Sequence, residues 1–256
     1  MTDEQWGHFL EVRENLKTKC TEYSKCCGKD LCILQKELAV EGGSPEYSVE
    51  NSFVYNVSLD SVVPTDKINY IIVGDNPGKD EQLNKNRCYL VGHSGKLAES
   101  FFNKNSFLKT DFRKNVIILN KTPLHTAKTA QLKQLINKYE KLPKDSYQKN
   151  QLRQIFYDSQ VFFANAAFKL QQAFNCELWI VGYSELKSRK VFEKYANCIY
   201  NLYSNLPEAK QKIYLFQHFS MNRFSIDLKK NYQSQLSLKE NLNKIGTKHR
   251  QDILGF

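Results

Sequence analysis

The sequence has no long hydrophobic run, and its first residues are not apolar. Within its 256 residues, no apolar stretch approaches the roughly 18 residues that a transmembrane helix needs. The first residues are polar and charged, unlike a secretory signal. Internal repeats and low-complexity tracts are also missing. We therefore expect no membrane partner and an intracellular location. We also expect a monomer that is cytoplasmic (nucleoid-associated) or nuclear.

The cysteine content gives little support to a disulfide framework. Seven cysteines are an odd number in a chain without an export signal. Four of them, Cys20, Cys26, Cys27 and Cys32, lie close together and fit either a metal or iron–sulfur site or reduced thiols on a helical hairpin. The cluster lacks a clean C-x-x-C pair and no second pair follows, so we expect no metal and no cofactor.

Basic residues outnumber acidic residues, so the chain carries an excess of positive charge. The chain carries 37 Lys and Arg residues against 27 Asp and Glu residues, a formal charge of +10. Such an excess favours an anionic partner such as nucleic acid, although a basic chain can also be merely soluble. From charge alone we expect nucleic acid to be the partner.

Short apolar runs predict buried strands at positions 70–73, 115–119, 177–181 and 212–216. Helical patterns lie between them, at positions 129–139, 148–174 and 185–196. Alternating strands and helices imply an α/β fold with a central, mostly parallel four-stranded sheet flanked by helices on both faces. We expect one domain over residues 1–256. Residues 1–45 would form a helical N-terminal cover of two helices, and residues 228–256 a polar helical C-terminal extension.

Polar residues follow each predicted strand, where parallel sheets bind their ligands. The first strand runs into the turn Gly74-Asp75-Asn76-Pro77-Gly78, and the second ends at Asn120. Gly182-Tyr183-Ser184 follows the third strand, and Gln217-His218-Phe219-Ser220 follows the fourth. We expect these side chains to converge on one edge of the sheet.

Together these segments resemble the uracil-DNA glycosylase superfamily over about positions 69–225. The turn 74–78 is similar to the family's water-activating motif, and His218-Phe219-Ser220 is similar to its His-Pro-Ser motif. The segment Cys88-Tyr89-Leu90-Val91 resembles the one that carries a stacking aromatic ring, and positions 91–97 resemble a pattern of the iron–sulfur branch. The chain departs from the family in having Phe219 for the proline and no cluster cysteine pattern.

The resemblance implies excision of uracil, or of a related damaged base, from DNA by base flipping, as in base excision repair. Asn76 or Asp75 would position the water, and His218 would stabilise the departing base. The base itself would be held by Gly74, Gly78, Tyr89, Asn120 and Ser220. Phosphates would be contacted by Lys121, Lys187, Arg189, Lys190, Asn222 and Arg223. The alternative is a catalytically silent relative that binds nucleic acid.

Overall fold

A central sheet of four parallel strands organises the chain. The computed structural model describes residues 1–143 and 145–256, and all of their side chains except those of residues 28, 29, 146 and 147. The strands are β1 (Tyr70–Gly74), β2 (Val116–Asn120), β3 (Glu177–Val181) and β4 (Ile213–Phe216), in the order β2-β1-β3-β4. The predicted α/β sheet is confirmed, with each strand end within one residue of its expected position.

The strands are buried because they are apolar on both faces. β1, β2 and β4 are buried at every position, and β3 is half-buried only at Glu177. Alternate side chains of one strand point to opposite faces, so an unbroken apolar run needs cover on both sides. Helices supply that cover, which gives three layers.

Eight α-helices surround the sheet in the described residues. They are α1 (Asp3–Glu41), α2 (His93–Lys104), α3 (Gln131–Glu140), α4 (Ser146–Phe174), α5 (Glu193–Tyr203), α6 (Pro207–Lys210), α7 (Arg223–Asn231) and α8 (Leu238–Leu254). On one face α4 packs on β1, β2 and β3, and α1, α3 and α5 pack on α4. None of these helices is both long enough and apolar enough to cross a membrane.

The other face of the sheet is covered through an aromatic cluster around Trp179 of β3. Its ring centroid lies 5.0 Å from that of Tyr70, 5.7 Å from Phe102 of α2 and 4.8 Å from Phe216. Phe224 of α7 stacks against it at 6.2 Å. Edge-to-face and stacked aromatic pairs add to the free energy gained by burying their area. The cluster thus fixes α2 and α7 to the sheet.

The N-terminal cover is one helix, where two were expected. α1 runs for 39 residues and begins with a capping box in which Thr2 and Gln5 bond each other's backbone N–H groups. Its apolar side chains, including Phe9, Leu16 and Leu31, are buried along one side. Because that stripe continues along the helix, packing on α4 favours an unbroken α1.

The C-terminal segment is part of the core rather than a polar extension. α8 packs on β4, and its Leu242, Ile245 and Leu254 side chains are buried. At Gly246 the helix approaches the sheet so closely that an added Cβ atom would lie 2.6 Å from Tyr214 Cβ. The polar composition of this segment conceals an apolar stripe of helical period.

We expect Gly246→Ala to lower the free energy of unfolding by about 1–3 kcal/mol, the usual cost of overpacking a core. Gly7→Ala in α1 is the matched control, since no atom lies within 4 Å of its added Cβ atom. That change should be neutral or stabilise the chain by up to about 1 kcal/mol through helix propensity. Urea unfolding measures both variants, and equal stabilities would show that α8 does not pack closely on β4.

Candidate active site

A cavity lies at the carboxyl end of the sheet. Its volume is about 640 Å³, and it is lined by residues that follow all four strands. Its walls bring together seven residues predicted for the site: Asp75, Asn76, Gly78, Asn120, His218, Ser220 and Arg223. An open depression of about 1030 Å³ lies at the other edge, around Glu177 and Lys212 where β3 and β4 begin. The polar groups that follow the strands face the smaller cavity.

Asn120 holds a buried amide in the cavity wall. It ends β2, pairs in register with Gly74 of β1 and is only 2 % exposed. Its Oδ1 atom lies so near Gly74 that an added Cβ atom there would be 2.5 Å away. Its Nδ2 group is buried and donates no hydrogen bond to the described residues. A buried donor without an acceptor costs about 1–3 kcal/mol, so this group is suited to bind an acceptor atom of a ligand.

His218 is held as a neutral ring with a defined tautomer. The Ser220 backbone N–H donates to its Nδ1 atom at 3.1 Å, and Ser220 Oγ lies 2.8 Å from the same atom. Because Nδ1 accepts, the proton of the neutral ring is on Nε2. Burial lowers the pKa of the ring below 6.5, against the smaller opposing effect of the Asp75 carboxylate. His218 thus offers an N–H donor, and Ser220 orients it rather than binding a base directly.

The Asn76 side chain is fixed by two threonines that sequence reasoning missed. Its Nδ2 group donates to Thr126 Oγ1 at 3.0 Å, and its Oδ1 atom accepts from Thr129 Oγ1 at 3.0 Å. Both threonines line the cavity. The amide oxygen can accept a second hydrogen bond, so it can still orient a water molecule. In the sequence, these contacts are indicated only by the number of polar residues that follow β2.

Asp75 forms a buried ion pair with Lys121, which contradicts the predicted phosphate contact of that lysine. Lys121 is 0 % exposed, and its Nζ atom lies 2.6 Å from Asp75 Oδ1. The ammonium group also donates to the backbone oxygens of Val181 at 2.6 Å and Gly74 at 3.2 Å. Burial lowers the pKa of Lys121, and the Asp75 charge opposes that shift. The lysine therefore links the ends of β1 and β3 and does not line the cavity.

Tyr89 lies in the core, so the predicted stacking surface for a base is wrong. The residue is 1 % exposed, and its hydroxyl donates to the backbone oxygen of Val54 at 2.5 Å. The next residue, Leu90, lines the cavity in its place. The wall on this side is therefore aliphatic. Gly78 also lines the cavity, and an added Cβ atom there would meet open space.

Glu81 is a further cavity residue that sequence reasoning missed. Its carboxylate accepts the backbone N–H groups of Gly78 at 3.0 Å and Leu90 at 2.7 Å. It is buried, and burial raises its pKa to about 7 against these hydrogen bonds. Glu81 thus joins the turn after β1 to the Leu90 wall. In the sequence it stands in a polar run of the kind usually exposed to solvent.

The other residues predicted to contact phosphates divide between separate surfaces. Arg223 lines the cavity, and Asn222 is exposed beside it in a left-handed conformation. Met221 also lines the cavity, is 64 % exposed and has φ 53°. Lys187, Arg189 and Lys190 are exposed but line neighbouring depressions rather than this cavity. The structure therefore does not bring these three residues to the site.

The cysteines of α1 point in different directions. Cys20 and Cys27 are buried, Cys26 is exposed, and Cys32 Sγ lies 2.9 Å from Ser52 Oγ. Within the described residues, no group of three or more His, Cys, Asp or Glu side chains is arranged to hold a metal ion.

Comparisons with known proteins identify no relative of this chain. A scan against protein-family models and searches of curated proteins and of solved structures find no match to this chain. Any functional conclusion therefore rests on the site itself.

We expect Lys121→Met to lower the free energy of unfolding by about 3–5 kcal/mol, because it leaves the Asp75 carboxylate unpaired in a buried position. The double variant Asp75→Asn with Lys121→Met should recover much of that loss. Urea unfolding of the two single variants and the double variant measures the coupling. Additive losses would show that the two side chains do not stabilise each other.

We expect the imidazole of His218 to titrate below pH 6.5, because burial disfavours its charged form. The pKa of His218 is lower in the folded state than in the unfolded state. The neutral ring therefore makes its full contribution to the free energy of unfolding above pH 6.5. That stability is lost as the pH falls through the folded-state pKa. NMR of ¹⁵N-histidine-labelled protein gives the midpoint, with His218→Asn to assign the signal. A midpoint above 6.5 would contradict the neutral ring.

Proposed function

We propose that this chain is a DNA glycosylase that hydrolyses the N-glycosidic bond of uracil, or of a related damaged base, in base excision repair. The observation that carries the proposal is the pairing of two neutral donors in one cavity. Asn120 Nδ2 is buried without an acceptor among the described residues, and the tautomer of His218 leaves Nε2 as a donor. Uracil presents two carbonyl oxygens on either side of N3–H, which suits this arrangement.

The amide of Asn120 accounts for base selection. Its Nδ2 group would donate to O4 of uracil, and its Oδ1 atom would accept from N3–H. Cytosine carries an amino group at position 4 and no proton on N3, so both contacts would become mismatched. Leaving buried polar groups unpaired is an effective way to reject a competing ligand. The base would reach the cavity by flipping out of the DNA, at a cost of a few kcal/mol.

The reaction would replace the bond from C1′ to N1 of the base with a bond from C1′ to water oxygen. The bonding electrons leave with the base as an anion, and one water proton is released. His218 Nε2–H would stabilise the charge that develops on O2, as a donor in an oxyanion hole does. Asn76 Oδ1 or the Asp75 carboxylate would orient the water, since both line the cavity.

Binding without catalysis is the second candidate, and the same residues favour it. The charge of Asp75 is compensated by Lys121 at 2.6 Å, and the Asn76 amide already contacts Thr126 and Thr129. Neither residue is therefore a strong base. Formation of abasic product distinguishes the two candidates, because a silent relative would bind uracil-containing DNA and leave it intact.

We expect His218→Ala to lower single-turnover excision of uracil by about 10²–10³-fold, because it removes one preorganised donor. His93→Ala is the matched control, since His93 is exposed on α2 and outside the cavity wall. Oligonucleotides with single-stranded U, U:A, U:G and T:G measure the rate, with alkaline cleavage revealing abasic product. Cytosine in the same context should remain uncut. Equal rates for the two variants would remove His218 from the mechanism, and no product from wild type would favour the silent relative.

A further inference from the structure

A basic groove lies next to the candidate active site. It is an open depression of about 530 Å³ between α3, α4 and the loop that leads into α5. Five basic side chains line it: Lys133, Arg153, Arg189, Lys190 and Lys194. Two of them, Arg189 and Lys190, belong to the predicted phosphate contacts that the cavity does not include.

Positive charge exceeds negative charge in this groove. Arg153 is paired with Glu140 through two hydrogen bonds of 2.5 and 2.7 Å. Glu193 also lines the groove, where it accepts the backbone N–H of Arg189 at 2.9 Å. Glu140 and Glu193 therefore offset two of the five cations, and the remaining positive charge suits a chain of phosphates.

The loop that carries the basic residues is held in place by hydrogen bonds. Lys133 of α3 donates to the backbone oxygen of Arg189 at 2.6 Å, and the Gln160 side chain of α4 donates to that of Val191 at 3.3 Å. The Phe192 N–H donates to the backbone oxygen of Glu185 at 2.9 Å. The backbone of the loop is thus fixed to α3 and α4, which keeps its basic residues beside the groove.

An exposed aromatic ring completes the groove. Tyr157 of α4 lines it and is 41 % exposed, and Arg153 lies one helical turn earlier on the same helix. An accessible ring beside cations is the combination with which proteins bind single-stranded nucleic acid. The ring stacks on a base while the cations bind the backbone.

The groove and the active-site cavity share two segments of their walls. At the start of α3, Ala130 lines the cavity and Lys133 lines the groove. In the loop after β3, Glu185 lines the cavity, whereas Arg189 and Lys190 line the groove. A polynucleotide strand in the groove would therefore run past the cavity.

We propose that this groove binds single-stranded nucleic acid, with phosphates on Lys133, Arg189, Lys190 and Lys194 and one base stacked on Tyr157. The site requires no reaction in the cavity. It is therefore independent of glycosylase activity, and a chain that excises nothing would still possess it.

The test is fluorescence anisotropy with a labelled, uracil-free oligothymidylate of 20 nucleotides at several salt concentrations. We expect Lys190→Gln with Lys194→Gln to reduce the slope of log affinity against log salt by about 1.4, because each phosphate of a single strand that a lysine neutralises contributes about 0.7 to that slope. Lys244→Gln with Lys248→Gln on α8 removes the same charge from exposed positions outside the groove and should leave the slope unchanged. Equal effects of the two pairs would overturn the proposal.

Tyr157→Ala tests the stacking contact separately from charge. We expect it to weaken oligothymidylate binding by about 5- to 150-fold, the range for removal of one stacked base, without changing the salt slope. Circular dichroism confirms that each variant is folded. An affinity of Tyr157→Ala equal to that of the wild type would contradict the proposed ligand. So would equal affinity of the wild type for duplex and single-stranded DNA, or competition by polyglutamate as strong as that by unlabelled oligothymidylate. The probe contains no uracil, so absence of excision activity leaves this result unaffected.

Discussion

The ion pair between Lys121 and Asp75 is the interaction on which the candidate site depends. Lys121 follows β2, yet its ammonium group contacts backbone oxygens at the ends of β1 and β3 as well as the carboxylate of Asp75. Burying two charges is costly, and these additional hydrogen bonds offset part of that cost. The pair therefore gives the strand ends a fixed relative position, on which the geometry of Asn120 and Asp75 depends. Its contribution is to geometry more than to net stability.

Close packing around this pair depends on two glycines. An added Cβ atom at Gly182, which has φ 82°, would lie 2.5 Å from Asp75 Oδ1, and one at Gly74 would lie 2.5 Å from Asn120 Oδ1. A side chain at either position would displace the polar group that faces it. At Gly182 the left-handed backbone would add strain for any other residue. The carboxylate and the amide thus occupy space that only glycine leaves open.

The sheet could be predicted from the sequence because each strand is apolar on both faces. The convergence of the polar residues at the strand ends could also be predicted, because parallel strands bring their carboxyl ends to one edge of the sheet. What failed was the direction of individual side chains. The sequence predicts Lys121 at the surface and Tyr89 in the cavity wall, whereas both are buried in the structure. Glu81 cannot be recognised from the sequence, because a buried carboxylate in a polar run has no periodic signal. These contacts join segments that are distant in sequence, so no local pattern encodes them.

The charge distribution in the cavity indicates how the proposed chemistry would be divided. Cleavage makes the sugar positive and the departing base negative, and the two charges meet different surroundings. Both donors are neutral; Asn120 is buried and His218 is half-buried, so they would stabilise the base anion with reduced competition from solvent. Asp75, the carboxylate nearest to Asn76 in sequence, shares its charge with Lys121, so its stabilisation of a sugar cation would be reduced. Catalysis would therefore rest on the leaving group more than on activation of water. Such a division suits bases that depart readily as anions, which uracil does because its carbonyl groups delocalise the charge.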